Sequence, residues 1–245
     1  MVRWIRQACH GIARAHDLRL LHNDIKPGNL FLNVKGECMV ADFGFASQVP
    51  IGSPITTANG CTPQTVAPEI AAAPQSATAS VLSDVYSLGA TAYWLLAVHP
   101  SHDFTNVPDP LAQLALVASQ APERLRNVAP HVPAFVANAI EKAMSRNPHD
   151  RYESVTSFAE ALGRRPGVER RWRRTNEHSG HHGCWRGTPA SGSEYVLCLE
   201  PTPKPKEHLV VTRHAGSGNR VSGGQRTAAA RSWGQAVRTV MDRLT

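Results

Sequence analysis

No apolar stretch of this 245-residue sequence is long enough to cross a membrane, and its cysteines form no close pair. The longest apolar run, residues 85–98, contains polar side chains and suits a buried helix better than a membrane span. The five cysteines are scattered and include no C-x-x-C, so we expect reduced thiols instead of a disulfide framework. The first residues offer no apolar signal core. These absences predict a cytoplasmic protein without a membrane span.

Large apolar side chains are also scarce in the last third of the chain. Leu, Ile, Val and Phe account for 41 of residues 1–162 but for only 11 of residues 163–245. The first part carries 11 Lys/Arg against 13 Asp/Glu and the last part 15 against 6, so the last part alone makes the chain basic. A charged segment with so little to bury does not offset its ordering entropy. We therefore predict a folded domain at 1–162 and a basic tail of low order at 163–245.

The spacing of apolar residues in the first part predicts helices and one small hairpin. An amphipathic helix opens the chain, and further helices are predicted at 85–98, 134–144 and 155–162. Two short apolar runs, 30–32 and 38–41, flank a Lys-Gly pair and indicate a β-hairpin. Residues 44–80 hold five prolines and three glycines and should form a long irregular segment. The predicted fold class is mostly α with a small β-hairpin, followed by a largely irregular tail.

A polar loop and the end of the predicted hairpin carry side chains suited to phosphoryl chemistry. Asp24 and Lys26 lie in a loop stiffened by Pro27. A carboxylate beside a lysine can accept a hydroxyl proton and steady a transferring phosphoryl group. Asn29 and Asp42 flank the hairpin, which would bring two oxygen ligands for Mg²⁺ together. Taken singly, each has a plainer interpretation, such as a solvated surface pair or a strand end with a turn glycine.

Five motifs, in this order, resemble the eukaryotic-type Ser/Thr protein kinase family, including its bacterial members. They are H-N-D-I-K-P-G-N at 22–29, D-F-G at 42–44, A-P-E at 67–69, S-D-V-Y-S-L-G at 83–89 and N-P-H-D-R at 147–151. The corresponding family patterns for the first three are H-R-D-x-K-x-x-N, D-F-G and A-P-E. The lysine two residues after the aspartate is typical of the Ser/Thr branch. The resemblance covers residues 1–162 and implies the larger, helical lobe of a kinase catalytic domain.

The resemblance implies a role for each site residue. Asp24 would orient the substrate hydroxyl as the base, and Lys26 would contact the transferring phosphate. Asn29 and Asp42 would hold Mg²⁺, and Phe31 would lie under the adenine ring of ATP. The alternative for Phe31 is an ordinary core residue of a strand. ATP and Mg²⁺ are therefore the expected cofactors, and a protein is the expected substrate.

Three further matches have structural roles in the family. Thr62 corresponds to a threonine beside the substrate-facing pocket. Glu69 and Arg151 correspond to a buried ion pair. Asp84 corresponds to a residue that holds the catalytic loop by its backbone N–H groups, with a plain helix cap as the alternative.

Two departures from the family pattern affect function. Asn23 stands where many members have an arginine that grips a phosphorylated residue, and asparagine lacks that cationic fork. We therefore do not expect control through that grip by phosphorylation at Ser47, Ser53, Thr56 or Thr57. The sequence also has no Gly-rich loop, strand lysine or glutamate partner of the family's small lobe. We expect little autonomous activity, and the alternative function is a truncated, non-catalytic kinase-like binding module.

The tail offers weaker signals. Its arginines around Trp172 suggest a weak anionic partner, with a solvated basic linker as the alternative. It also holds His178, His181, His182, Cys184 and Cys198. Their spacing fits no familiar zinc-binding pattern, so the sequence alone does not predict a metal site there. Nothing in the sequence indicates the oligomeric state.

Overall fold

The computed structural model describes residues 1–45, 61–163, 170–189, 192–229 and 231–244. The chain forms two compact units. The first unit lies within Met1–Leu125 and Phe135–Arg164, and the second within Arg126–Ala134 and Arg165–Thr245. No helix among the described residues is both long and apolar enough to span a membrane.

Seven helices and a two-stranded hairpin make up the chain as far as residue 163, within its described residues. The helices are α1 Val2–Asp17, α2 Pro68–Ala72, α3 Val81–Ala97, α4 Pro110–Ser119, α5 Leu125–Val128, α6 Ala134–Ala143 and α7 Val155–Gly163. The strands are β1 Leu30–Leu32 and β2 Cys38–Val40, and short 3₁₀ turns occur at Pro27–Asn29, Phe43–Phe45 and Pro148–Asp150. Part of the predicted irregular segment, residues 46–60, lies outside the described residues, and its remainder contains α2.

Helix α1 buries its apolar face and supports the hairpin. Its buried residues are Ile5, Ala8, Cys9, Ile12 and Ala15. The helix packs on α7, β2 and α3. At the hairpin turn, the Arg3 guanidinium and the Trp4 indole N–H both donate to the carbonyl of Gly36, at 2.8 and 3.0 Å. Gly36 has a φ of +70°, which glycine adopts without steric cost. The hairpin is therefore fixed to the first helix.

Helix α3 is apolar almost all round and lies at the centre of the first unit. Ser80 caps it, because the Ser80 hydroxyl accepts the N–H of Leu82 and Ser83 completes a capping box. The helix ends where Val98 adopts a left-handed conformation with φ of 69°. Most of its side chains are buried, including those of Asp84 and Thr91. Through Asp84 and Thr91 this buried helix contacts the polar loop at residues 22–25.

The second unit is an antiparallel sheet with one helix. Its strands follow chain order: β3 Arg170–Thr175, β4 Gly183–Pro189, β5 Tyr195–Pro201, β6 Glu207–His214 and β7 Arg220–Ala229. Helix α8, Trp233–Arg243, covers one face and packs Val237 and Val240 against Trp185 and Leu197. Arg238 donates to the carbonyl of Val132 at 2.7 Å, which ties residues 126–134 to this unit.

The expectation of a largely irregular tail is wrong, and with it the fold class of mostly α with only a small hairpin. The chain contains seven strands in two antiparallel sheets among its described residues. The composition count failed because it considered only Leu, Ile, Val and Phe. The second unit also buries Trp185, Cys184, Cys198, Ala236 and Met241. In a two-layer unit these side chains supply apolar area that the count left out.

The basic residues near the start of the second unit occupy an edge strand. Arg164 and Arg165 lie outside the described residues, whereas Arg171, Arg173 and Arg174 are exposed on β3. Within the part of the chain that the structure describes, strand β3 pairs with β4 alone and is the outer strand of the sheet. Charged side chains on an edge strand discourage pairing with other chains. The arginines therefore have a structural explanation, and an anionic partner stays a prediction.

Candidate active site

Asp84 of α3 holds the polar loop in place. Its side-chain oxygens accept the backbone N–H groups of His22 at 2.9 Å and Asn23 at 3.1 Å. The Nε2 atom of His16 lies 2.8 Å from the same carboxylate. Asp84 is 1% exposed, and the cap of its own helix is Ser80. Asp84 therefore serves the loop, as the resemblance implied, and the alternative of a plain helix cap is wrong.

A second support comes from Thr91, two helical turns after Asp84. Its hydroxyl donates to the carbonyl of Ile25 at 3.2 Å, in the middle of the loop. Residues seven apart lie on one face of a helix, so Asp84 and Thr91 both face the loop. We did not identify Thr91 or His16 from the sequence. The available signal was a threonine seven residues after an aspartate in a mainly apolar helix.

Asp24 lies at the centre of what we call the carboxylate cluster, formed by Asp24, Lys26, Asn29 and Thr62. The Oδ2 atom of Asp24 accepts Lys26 Nζ at 2.6 Å and Asn29 Nδ2 at 3.3 Å. Its Oδ1 atom accepts the Thr62 hydroxyl at 2.6 Å. Asn29 Nδ2 also donates to the backbone carbonyl of Asp24 at 2.8 Å. Three donors thus fix both oxygens of this carboxylate.

Burial distinguishes the carboxylate cluster from a surface ion pair. The side chain of Asp24 is 1% exposed, whereas that of Lys26 is 32% exposed. Burial of a carboxylate is costly unless it is paired and hydrogen-bonded, and Asp24 has a lysine, an amide and a hydroxyl as its partners. The alternative of a solvated surface pair is therefore wrong for Asp24. The lysine ammonium, which also donates to Thr62 at 3.3 Å, remains accessible from solvent.

The pairing of the hairpin places Asp42 one residue after a backbone contact to Asn29 of the cluster. The backbone N–H of Ala41 donates to the carbonyl of Asn29 at 3.0 Å, and Asp42 follows directly. The rings of His22 and Phe43 lie 4.7 Å apart, which connects the D-F-G segment to the loop. Asp42 has a φ of 62°, a left-handed conformation that is rare outside glycine and often found at functional sites.

The two residues expected to hold Mg²⁺ both offer oxygen atoms, the ligands that this cation prefers. The side-chain nitrogen of Asn29 donates to Asp24. The side-chain oxygen of Asn29 therefore points away from Asp24. Asp42 is exposed, and its Oδ1 atom accepts the N–H of Gly44 at 3.3 Å. The donor chemistry of this pair fits a hard divalent cation.

Phe31 lies in strand β1 with its side chain exposed to solvent. Its side chain is 51% exposed, and its cross-strand partner Met39 is equally exposed. The alternative of a core strand residue is therefore wrong. Phe31 and Met39 are thus two exposed apolar side chains at paired positions of the hairpin.

The Glu69–Arg151 ion pair is present and is bidentate. Arg151 donates to the two carboxylate oxygens of Glu69 at 2.8 and 2.6 Å. It also donates to the carbonyls of Leu82 and Ser145 at 2.8 Å each. Its guanidinium lies 4.9 Å from the ring of Tyr86, and burial raises the pKa of Tyr86 to about 12. This pair fixes α2, which follows Thr62, to the helical core.

Cys61 lies beside the carboxylate cluster but is not suited to nucleophilic chemistry. Burial raises the pKa of its thiol, and the negative charge of Asp24 raises it further. Because the thiolate is the reactive form, Cys61 stays a protonated thiol at neutral pH. The serines and threonines considered for phosphorylation, Ser47, Ser53, Thr56 and Thr57, lie outside the described residues.

The buried Asp24 is thus bonded to a lysine two residues later and to an asparagine five residues later, in the order of the kinase-like motif at 22–29. The family model described as "Protein kinase domain" matches residues 1–162. The chain therefore belongs to the protein kinase family, as its motifs indicated.

The relatives among known proteins include mycobacterial Ser/Thr kinases. The chain is 35% identical over 211 residues to the serine/threonine-protein kinase PknK of Mycobacterium tuberculosis. This match covers 78% of the chain and 18% of PknK. It is 34% identical to PknF of M. tuberculosis over 62% of the chain and 32% of PknF. It is 33% identical to PknA of Mycobacterium bovis over 66% of the chain and 37% of PknA. The chain thus spans about a third or less of each relative. The PknK match covers more than residues 1–162 and so reaches the second unit.

Proposed function

We propose that residues 1–162 provide the catalytic loop of a protein Ser/Thr kinase, which transfers the γ-phosphate of ATP to a Ser or Thr hydroxyl of a protein. The observation that carries this proposal is the carboxylate cluster, in which a buried aspartate already receives a hydroxyl hydrogen bond. The competent residues at all four implied positions give no support to the alternative of a non-catalytic binding module.

Asp24 is the proton acceptor in this proposal. The Thr62 hydroxyl donates to its Oδ1 atom at 2.6 Å, so this oxygen receives an aliphatic hydroxyl at short range. A substrate Ser or Thr hydroxyl would bond to the same carboxylate. As the substrate oxygen forms its bond to the γ-phosphorus, the bond from phosphorus to the ADP oxygen breaks, and the hydroxyl proton passes to Asp24.

Lys26 is the cation beside the transferring group. Its Nζ atom lies between Asp24 and Thr62, at 2.6 and 3.3 Å from their oxygens. An ammonium fixed there faces the phosphoryl oxygens on the way from donor to acceptor and offsets their negative charge. Its partial exposure leaves it open to a phosphate that approaches from solvent.

Asn29 and Asp42 hold the divalent cation in this proposal, and Phe31 supports the adenine ring. When bound, Mg²⁺ neutralises the phosphate oxygens of ATP. The side-chain amide of Asn29 has two roles in this proposal. Its nitrogen orients Asp24, and its oxygen, which points away from Asp24, would bind the cation. ATP, Mg²⁺, a protein substrate and a cytoplasmic location remain predictions for this chain.

The proposal is tested by joining the small lobe of a relative such as PknF ahead of Met1, to supply the Gly-rich loop, the strand lysine and its glutamate partner that residues 1–245 do not contain. With ATP, Mg²⁺ and a generic protein substrate, we expect phosphoserine and phosphothreonine, and much lower transfer by the 245-residue chain alone. Asp42→Asn should abolish the transfer, while Asp103→Asn, at an exposed carboxylate outside the cluster, should not. Transfer that survives Asp42→Asn, or a folded chimera that binds ATP without transfer, would contradict the proposal.

A further inference from the structure

Four metal-binding side chains of the second unit converge on one point. His178 and His181 lie in the connection between β3 and β4, Cys184 lies in β4, and Cys198 lies in β5. One ligand atom from each side chain lies within 4.8 Å of all the others. Both cysteines are buried free thiols. We call these four residues the thiol–imidazole cluster.

The sheet determines the position of the two sulfur atoms. Cys184 and Cys198 are directly opposite one another in the β4–β5 pairing, so their side chains leave the same face of the sheet. Cys198 packs there with Val196, on the face away from the core beneath α8. Two thiols at a cross-strand position are therefore held side by side by the backbone.

The β3–β4 connection determines the position of the two imidazoles. Gly180 lies between the histidines with a φ of +83°, a conformation that a larger residue rarely adopts. Arg186 of β4 donates to Glu177 at 2.6 Å and to Glu194 at 2.9 Å. This double contact anchors the residue immediately before His178 to the sheet. The connection therefore folds back so that both rings face the thiols.

The distances agree with a tetrahedral zinc ion. Zinc bonds of about 2.3 Å to sulfur and about 2.0–2.1 Å to nitrogen, at tetrahedral angles, require S···N separations of about 3.5 Å. The Sγ atom of Cys184 lies 3.6 Å from Nδ1 of His178 and 3.5 Å from Nδ1 of His181. The Sγ atom of Cys198 lies 3.3 Å from Nδ1 of His178. All three separations fall within 0.3 Å of that requirement.

The chemistry of the four donors selects the metal. Thiolate and imidazole ligands favour zinc over magnesium or calcium, which prefer oxygen. Four protein ligands leave no open coordination position for water or substrate, which is typical of structural zinc sites. The exposed ring of His178 provides a route by which an ion can enter.

We propose that His178, His181, Cys184 and Cys198 form a four-coordinate structural Zn²⁺ site that fastens the β3–β4 connection to the sheet. This site is separate in residues and in chemistry from the proposed magnesium position of the first unit, and it does not depend on the kinase proposal. Among the described residues, His182 is not one of the side chains whose ligand atoms converge there; its ring packs against that of His208, with centroids 4.4 Å apart.

The test is the zinc content of the untagged 245-residue chain, purified from zinc-supplemented medium under reducing conditions and dialysed against metal-free buffer. Elemental analysis should find about one zinc per chain. The double variant Cys184→Ser/Cys198→Ser should retain none, and the matched control His182→Ala should retain the full amount. A wild-type chain without zinc, or zinc kept by the double variant, would overturn the site.

Cobalt substitution keeps the proposal testable if the double variant does not fold. Addition of Co²⁺ to the metal-free wild-type chain should produce a sulfur-to-cobalt charge-transfer band and the intense visible bands of a tetrahedral ion. His178→Ala, at an exposed side chain, should weaken these bands at least tenfold at equal cobalt concentration. A featureless or octahedral spectrum, or a Cys184–Cys198 disulfide found by mass spectrometry in the freshly reduced chain, would overturn the proposal.

Discussion

The two units of this chain each gather a group of polar side chains, but from opposite kinds of donor atoms. The carboxylate cluster of the first unit combines carboxylate, amide, hydroxyl and ammonium groups around Asp24. The thiol–imidazole cluster of the second unit combines two sulfurs and two ring nitrogens. Oxygen donors suit magnesium and phosphate chemistry, whereas sulfur and imidazole suit zinc. In our two proposals, the first site therefore serves phosphoryl transfer and the second serves the stability of its unit.

The largest expected effect on stability concerns the ion pair of the first unit. Arg151→Met removes the two hydrogen bonds to Glu69 and three further hydrogen bonds that Arg151 donates to backbone carbonyls. Because Glu69 is 28% exposed, we expect a loss of about 3 kcal/mol in the free energy of unfolding, the low end for breaking a buried pair. Urea denaturation measures this loss.

Arg14→Met is the matched control for this prediction. Arg14 and Asp17 form an exposed pair, with side chains 77% and 62% accessible, and such pairs contribute about 0–1 kcal/mol. Equal losses for the two variants would show that burial does not distinguish these ion pairs.

The second prediction concerns acid sensitivity of the second unit. Burial, with the charges of Arg174 and Arg238 nearby, lowers the pKa of His131 to about 4. The unfolded chain binds this proton near pH 6.5 and the folded chain does not, so stability falls as pH decreases from about 6.5 to about 4. At pH 5 this effect of His131 lowers the free energy of unfolding by about 2 kcal/mol relative to neutral pH.

His131→Leu should remove that part of the pH dependence, and thermal melts at pH 5 and pH 7 measure it. His10→Leu, at an exposed position of α1, should leave the pH dependence unchanged. An acid sensitivity that is identical in the wild-type chain and in His131→Leu would refute the assignment to this histidine.

How far the sequence predicted these two units differs for a physical reason. The first unit follows local rules: helical spacing, a turn glycine and motifs whose residues lie within eight positions of one another. Asp24, Lys26 and Asn29 were identifiable because a single loop holds them. Thr62 and Asp84 were identified only through the resemblance, because their contacts with the loop connect distant parts of the sequence.

The second unit depends on strand pairing that composition does not reveal. Cys198 reaches His178 only because β5 pairs with β4, and the spacing of the ligands cannot show that pairing. Its strands also contain glycine, arginine and threonine where a simple apolar count expects aliphatic residues. The same sequence that was expected to be irregular thus encodes a sheet, because Trp, Cys, Ala and Met contribute to its core.

The smallest expected effect on stability concerns the serines at the N-terminal caps of helices α3 and α8. The Ser80 side chain accepts the N–H of Leu82 at the start of α3, whereas Ser232 makes no side-chain cap at the start of α8. Ser80→Ala should therefore cost about 1 kcal/mol in the free energy of unfolding. Ser232→Ala should cost no more than a few tenths of a kcal/mol. A larger loss at Ser232 would show that the caps of α3 and α8 have been interpreted wrongly.

The proposed kinase function depends on Asp24 as the residue that receives the substrate proton. The most direct measurement is the rate of phosphate transfer by the PknF chimera carrying Asp24→Asn, compared with Asp17→Asn at an exposed carboxylate. We predict a loss of at least about 100-fold for Asp24→Asn, with no change for Asp17→Asn and no change in zinc content for either. Transfer by the folded Asp24→Asn chimera at the rate of the unmodified one would contradict the account.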